Sequence, residues 1–193
     1  MSKKGFTLSE FLITLGVIGV VSAITLPVLI KNYNNYLTEQ KLKKAYNTLS
    51  NGIKMAEVDY GPMKDWPNGK DIKDMREYYA TYFQPYFNGI KLCSSTTTCG
   101  YKNFDRQKWT GAAWGVETGS DRVLFKLIDG TVVFNPRSSG NTYVNIFFVD
   151  INGPKAPNQL NKDVFRFTKG TEKGIEPMGK TLEIMQNGWK IKQ

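Results

Sequence analysis

Glu10 is the one charged residue between Lys4 and Lys31. It stands at the head of Phe11 to Ile30, a run of twenty residues without a charge. A carboxylate well inside a bilayer costs roughly 2.5–3.5 kcal/mol on insertion scales, so it calls for a cationic partner. Lys3 and Lys4 are near enough to shield it. A cut after Gly5 would create another partner, the α-amino group of Phe6, which with a pKa near 7.7–8 is largely cationic at neutral pH. Within one chain, four residues place amine and carboxylate about one helical turn apart. Between neighbouring chains, a stagger would set one amine against another chain's carboxylate. An unpaired charge in such a low-dielectric bundle costs several kcal/mol, so the pair would set register during assembly.

Two further groups of residues could do chemistry. Cys93 and Cys99, in CSSTTTC, have the spacing of a short disulfide loop around Ser and Thr, worth about 2.4 kcal/mol on loop entropy. An exported protein would form it; a reducing compartment would leave two free thiols. The run DINGPKAPNQLNKD at 150–163 is dense in oxygen ligands and turn formers. Asp150, Asn152, Asn158 and Asp163 could give side-chain oxygens to Ca²⁺, or pin a loop through Asx turns. The spacing is not that of an EF-hand, and no other cofactor is implied.

The chain has no histidine, which removes the commonest general base and metal ligand. No Ser/His, Cys/His, phosphate-loop or metal motif accompanies the carboxylates, so the chain reads as a substrate of processing enzymes and not as an enzyme. The net charge of +9 favours anionic partners such as DNA or lipid headgroups. The lysines are scattered apart from KLKK at 41–44, which describes a basic solvated surface better than a nucleic-acid site.

These residues need elements to hold them. As a helix, Phe11 to Ile30 would reach ~30 Å, the hydrocarbon thickness of a membrane. Lys3 and Lys4 place the N-terminus in the cytoplasm and the rest outside. The rival is an ordinary secretory signal with its exit at Val21-Ser22-Ala23, or a plain anchor, on a binding protein. Against it stand the acid at the head of the run and the apolar residues Ile24, Leu26, Val28, Leu29 and Ile30 beyond Ala23. Gly16, Gly19 and Pro27 mark the helix internally, and Pro27 predicts a kink or local melting near residues 23–27.

Lys3-Lys4-Gly5-Phe6-Thr7-Leu8-Ser9-Glu10, followed by the apolar run with Pro27, closely resembles the N-terminus of type IV pilins and type II secretion pseudopilins. The resemblance implies a leader, residues 1–5, removed by a prepilin peptidase that cuts between Gly5 and Phe6 and N-methylates Phe6. It also implies that Glu10 pairs with the Phe6 amine of a neighbour as copies of the chain and other pilins join a helical filament on an inner-membrane assembly platform. The stretch from Gly19 to Pro27 corresponds to the part that loses helicity in assembled filaments. The precursor would be a single-pass protein of the cytoplasmic membrane, and the product a pilus or pseudopilus at the surface or in the periplasm. Some pseudopilins carry a calcium loop in the region of 150–163. Ser9, where an aliphatic residue is more usual, and Phe11 directly after the acid depart from the pattern without removing a required group.

The expected fold is α+β and pilin-like: an apolar helix over 6–30, its amphipathic continuation over 31–60, and a globular domain over 61–193 with an antiparallel sheet. Leu42, Ala45, Leu49, Ile53 and Ala56 form the stripe that packs on that sheet. NYNNY at 32–36 is weak helix sequence and predicts a flexible joint. Asp71 is a candidate N-cap for a helix with an aromatic side at Met75, Tyr78, Tyr79, Tyr82 and Phe83, read as core packing. Hairpins are expected at 122–134, around Asp129-Gly130, and at 181–192, around Asn187-Gly188; further strands are expected at 142–151 and 163–168.

Overall fold

The computed structural model describes residues 5, 7–67, 75–102, 108, 124–134, 145–172 and 174–192. Phe6, the leader residues before Gly5, and Asp71 lie outside them. The chain divides into two units, Met1–Leu37 and Thr38–Gln193.

Helix α1 is Leu8–Tyr60, 53 residues long. In the first unit every large apolar side chain from Leu8 to Ile30 is half or more exposed, so no described part of this chain covers it. The helix is long and apolar enough to cross a membrane. It is helical through Gly19, Pro27 and the 32–36 stretch, so the local melting expected near residues 23–27 is not present in this chain taken alone. The physical reason is that Pro27 removes one backbone donor, while the surrounding hydrogen bonds of a long helix keep propagating.

In the second unit the expected stripe is the buried face of α1. Leu42, Ala45, Leu49, Ile53 and Ala56 are each at most 1 % exposed. They face an antiparallel sheet that has six strands among the described residues, in chain order: β1 Lys91–Cys93, β2 Leu124–Lys126, β3 Val132–Phe134, β4 Ile146–Asp150, β5 Val164–Lys169 and β6 Ile175–Pro177. Register puts Leu92, Phe125, Val133, Val149 and Phe165 in one row across five strands, all in the core shared with α1. The adjacent row, Cys93, Leu124, Phe134 and Phe148, turns to the other face and packs with Cys99 and Tyr101. This alternation with period two gives both faces a covered core. The Lys44 ammonium lies 3.0 Å from Asp129 and ties α1 to the β2–β3 turn.

Helix α2, Met75–Tyr82, carries Tyr78 and Tyr79 into the core, where Tyr79 and Phe83 pack against Phe125. The aromatic side is therefore packing, as expected. Three strand expectations change. The edge strands β1 and β6 were not anticipated, because three residues each are too few to show a period. The expected hairpin at 181–192 is instead helix α3, Lys180–Gln186. There Gly188 N–H donates to Met185 O (3.0 Å) and Trp189 N–H to Ile184 O (2.8 Å), with positive φ at both donors. Those are the two bonds of a Schellman cap: Asn-Gly, read as a hairpin turn, closes a helix here.

Candidate processing and assembly site

Gly5 is exposed, and a Cβ added to it would meet nothing within 4 Å. Two residues on, Thr7 caps α1. Thr7 N–H and Oγ1–H donate to Glu10 Oε2 at 2.9 and 2.8 Å, and Glu10 N–H donates to Thr7 Oγ1 at 3.2 Å. This is a capping box, in which the N-cap hydroxyl and the carboxylate three residues on satisfy each other's backbone donors. Its sequence signature is Thr-x-x-Glu, Thr7 to Glu10, which the charge of Glu10 alone does not reveal. The carboxylate also sits where the positive end of the helix dipole favours it. Oε2 is engaged within the chain; Oε1 makes no hydrogen bond among the described residues. A Cβ added at Gly16 or Gly19 would likewise meet nothing within 4 Å, so the helix presents two shallow places on an apolar surface.

The second unit holds the other candidate residues. Cys93 and Cys99 are bonded, closing the Ser/Thr loop as expected for an oxidising compartment. Inside it, Ser95 N–H donates to Thr98 Oγ1 and Thr98 N–H to Ser95 Oγ. The loop leads through Gly100 to Tyr101, whose hydroxyl donates to Asp150 Oδ2 at 2.7 Å.

The four residues from 150–163 do come together. Asp150 is fully buried; its Oδ1 accepts Asn152 N–H at 3.1 Å. Asp163 is also buried and accepts Asn158 N–H at 2.8 Å and Gln159 N–H at 2.6 Å. With its amide nitrogen turned inward, Asn158 donates to Asp150 Oδ2 and Gly153 O, both at 3.0 Å, and to Lys155 O at 3.2 Å. Asn152 Oδ1 is buried without a partner among the described residues. Burial pushes the Asp150 carboxyl up to about 7, and the like charge of Asp163 adds to that, against the lowering bonds from Tyr101, Asn152 and Gly153.

Sequence reasoning missed Glu39 and Lys169. Lys169 is buried on β5, and its ammonium donates to Trp66 O (3.1 Å) and Pro67 O (3.2 Å). Burial lowers its pKa to about 8. Glu39 is buried at the start of the α1 stripe, beside residues far along the chain that no local pattern connects to it.

Residues 1–26 match the prokaryotic N-terminal methylation motif, and residues 28–193 match a family described as of unknown function, DUF6613. The chain is 33 % identical over 116 residues to the fimbrial protein EcpC of Eikenella corrodens, covering 60 % of this chain and 69 % of that one. No solved structure matches.

Proposed function

Because the chain belongs to the type IV pilin family, and by residues 28–193 to the family of unknown function DUF6613, we propose that it is a pilus subunit made as a single-pass membrane precursor. In this reading a prepilin peptidase cuts between Gly5 and Phe6 on the cytoplasmic side and methylates Phe6. The peptide at Gly5 is accessible, and nothing in the described fold demands glycine there, so the residue answers to the enzyme that acts on it. The positive-inside rule, through Lys3 and Lys4, keeps the cut site in the cytoplasm.

Assembly follows from the uncovered helix. Residues Leu8 to Ile30 bury their apolar face first in lipid and then against other copies in a filament, with Gly16 and Gly19 allowing close approach. Glu10 receives the Phe6 amine of a neighbour. The observation that carries the proposal is the capping box at the head of that helix, which presents the carboxylate with Oε1 open. The pair forms across chains without dissolving the box. The protein acts as a substrate and a building block, with no catalytic role of its own. No cluster of its basic residues singles out DNA as a partner.

Intact mass and N-terminal sequencing of the chain recovered from filaments test this. A start at N-methylated Phe6 is expected. A start after Ala23, or an uncut N-terminus, would make it a secreted or anchored binding protein instead.

The oxygen set at 150–163 fits a hard cation in kind: two carboxylates, the orphaned Asn152 Oδ1, and the carbonyls of Gly153 and Lys155. Ca²⁺ held there would fasten the loop to β4. Yet Asp163 already accepts two protein donors and Asp150 three, and the Asn158 amide takes up the converging oxygens. We propose that the loop closes by these bonds and requires no ion.

A further inference from the structure

Asn-Gly occurs five times in the chain, at 51–52, 68–69, 88–89, 152–153 and 187–188. The pair is chemically unstable. Glycine has no Cβ to obstruct its own nitrogen, which can attack the carboxamide of the preceding asparagine. The new N–Cγ bond closes a five-membered succinimide, and the side-chain nitrogen leaves as ammonia. Water then opens the ring at one carbonyl or the other, giving aspartate, or isoaspartate with the main chain running through Cγ. The attacking nitrogen must first give its proton to base. An N–H already held in a hydrogen bond, in a backbone that cannot turn, therefore stays inert until the segment opens.

Four of the pairs lie among the described residues, and the fold treats them differently. Gly52 lies within α1, where its N–H belongs to the helix ladder and the Phe87 ring covers it. Gly153 is buried, and its N–H donates to the Asp150 carboxylate. Gly188 N–H donates to Met185 O at 3.0 Å, and the Asn187 side chain is itself tied to Lys190 O at 2.9 Å. Asn88-Gly89 has none of these restraints. Both residues are exposed, and neither the Asn88 side chain nor the Gly89 N–H makes a hydrogen bond among the described residues. They are the central pair of a turn closed by Ile90 N–H to Phe87 O at 3.4 Å, with Gly89 at a φ of 68°.

We propose that Asn88 is a site of self-modification, where the folded chain turns an amide into an acid with water as the co-reactant. Either product adds a negative charge to this turn of a chain whose net charge is +9. The isoaspartyl product also lengthens the main chain by one atom, between Phe87, which lies over Gly52, and strand β1.

Peptide mapping by mass spectrometry tests this on the full chain in detergent, incubated at mildly alkaline pH. Asn88 is expected to convert about tenfold or more faster than Asn51, Asn152 or Asn187, whose conversion waits on local opening. In denaturant the four rates should converge, because only the shared Asn-Gly sequence then acts. Asn88→Gln, whose longer side chain must close a slower six-membered ring, should leave that peptide unconverted. Gly89→Ala is not used, because the left-handed backbone and Ile128 Cδ1 at 3.3 Å would change the turn itself. Conversion at Asn51, Asn152 or Asn187 as fast as at Asn88 in the folded chain overturns the proposal. So does an Asn88 that converts only in denaturant, or a mass change that persists in the Asn88→Gln peptide.

Discussion

Replacing glycine by alanine inside a helix ordinarily stabilises it, by about 1 kcal/mol. At Gly52 we expect the opposite sign. Gly52 lies on the buried face of α1, and a Cβ there would fall within the Phe87 ring, with Cε1 and Cε2 at 2.5 and 2.6 Å. Real Cβ atoms do not approach that closely, so Phe87 would have to withdraw. It cannot do so freely, because its ring is 5 % exposed and packed between Phe83 (5.9 Å) and Phe125 (6.1 Å). Overpacking of this kind costs about 1–3 kcal/mol, and part of the ~1.5–3 kcal/mol from burying a phenylalanine is lost as well. Set against the propensity gain, Gly52→Ala should destabilise by about 1–3 kcal/mol, lowering Tm by about 2–12 °C. Thermal unfolding followed by near-ultraviolet circular dichroism reads this. The decisive comparison is made in a Phe87→Leu background, where the smaller side chain leaves room for the new methyl. There Gly52→Ala should cost less than half as much. A stabilised Gly52→Ala, or an equal cost in both backgrounds, would refute the claim that Phe87 crosses α1 over a glycine.

The Asp150 carboxyl, raised from 3.8 to about 7, predicts a pH dependence of definite sign. Between those values the unfolded chain has released the proton and the folded chain keeps it, so stability falls as pH rises, by about 1.4 kcal/mol per unit. Denaturant unfolding from pH 5 to pH 7 should show this slope, and Asp150→Asn should remove it; parallel curves for the two proteins would contradict the burial argument. Ca²⁺ bound at the loop would favour the anion, so a rise in Tm with millimolar calcium over chelator would overturn the ion-free reading. Glu10→Ala should leave membrane insertion and cleavage after Gly5 intact but stop incorporation into filaments, scored by the subunit content of sheared filaments. Normal incorporation would remove the pairing role.

What could be read in advance depended on how local the cause was. The α1 stripe repeats over five residues at three- and four-residue steps, and its helical face follows from that spacing alone. Asp150 and Asp163 drew notice as oxygen ligands, but whether their lone pairs meet a cation or backbone donors depends on how 150–163 turns back on itself. Thr-x-x-Glu spells the capping box within four residues, and it gives Glu10 a partner in its own chain besides the one its charge calls for. Asn187-Gly188 favours left-handed backbone whether it closes a hairpin or caps a helix. Thr181 and Ile184, buried three residues apart, decide for the helix. Glu39 could not be read at all, since its partners stand 151 and 152 residues away.

The glycines separate what the fold requires from what lies beyond it. Gly52 is demanded from within, by the Phe87 ring. Gly16 and Gly19 sit in the same helix with open space around them, where each gives up about 1 kcal/mol of helix propensity relative to alanine. No contact among the described residues returns that loss. Gly5 lies ahead of the helix and is equally unconstrained. A helix that carries small residues on an uncovered apolar surface regains that loss where another backbone comes close, which is the packing the proposed filament would supply. From Glu39 onward, by contrast, α1 is shaped by contacts within its own domain.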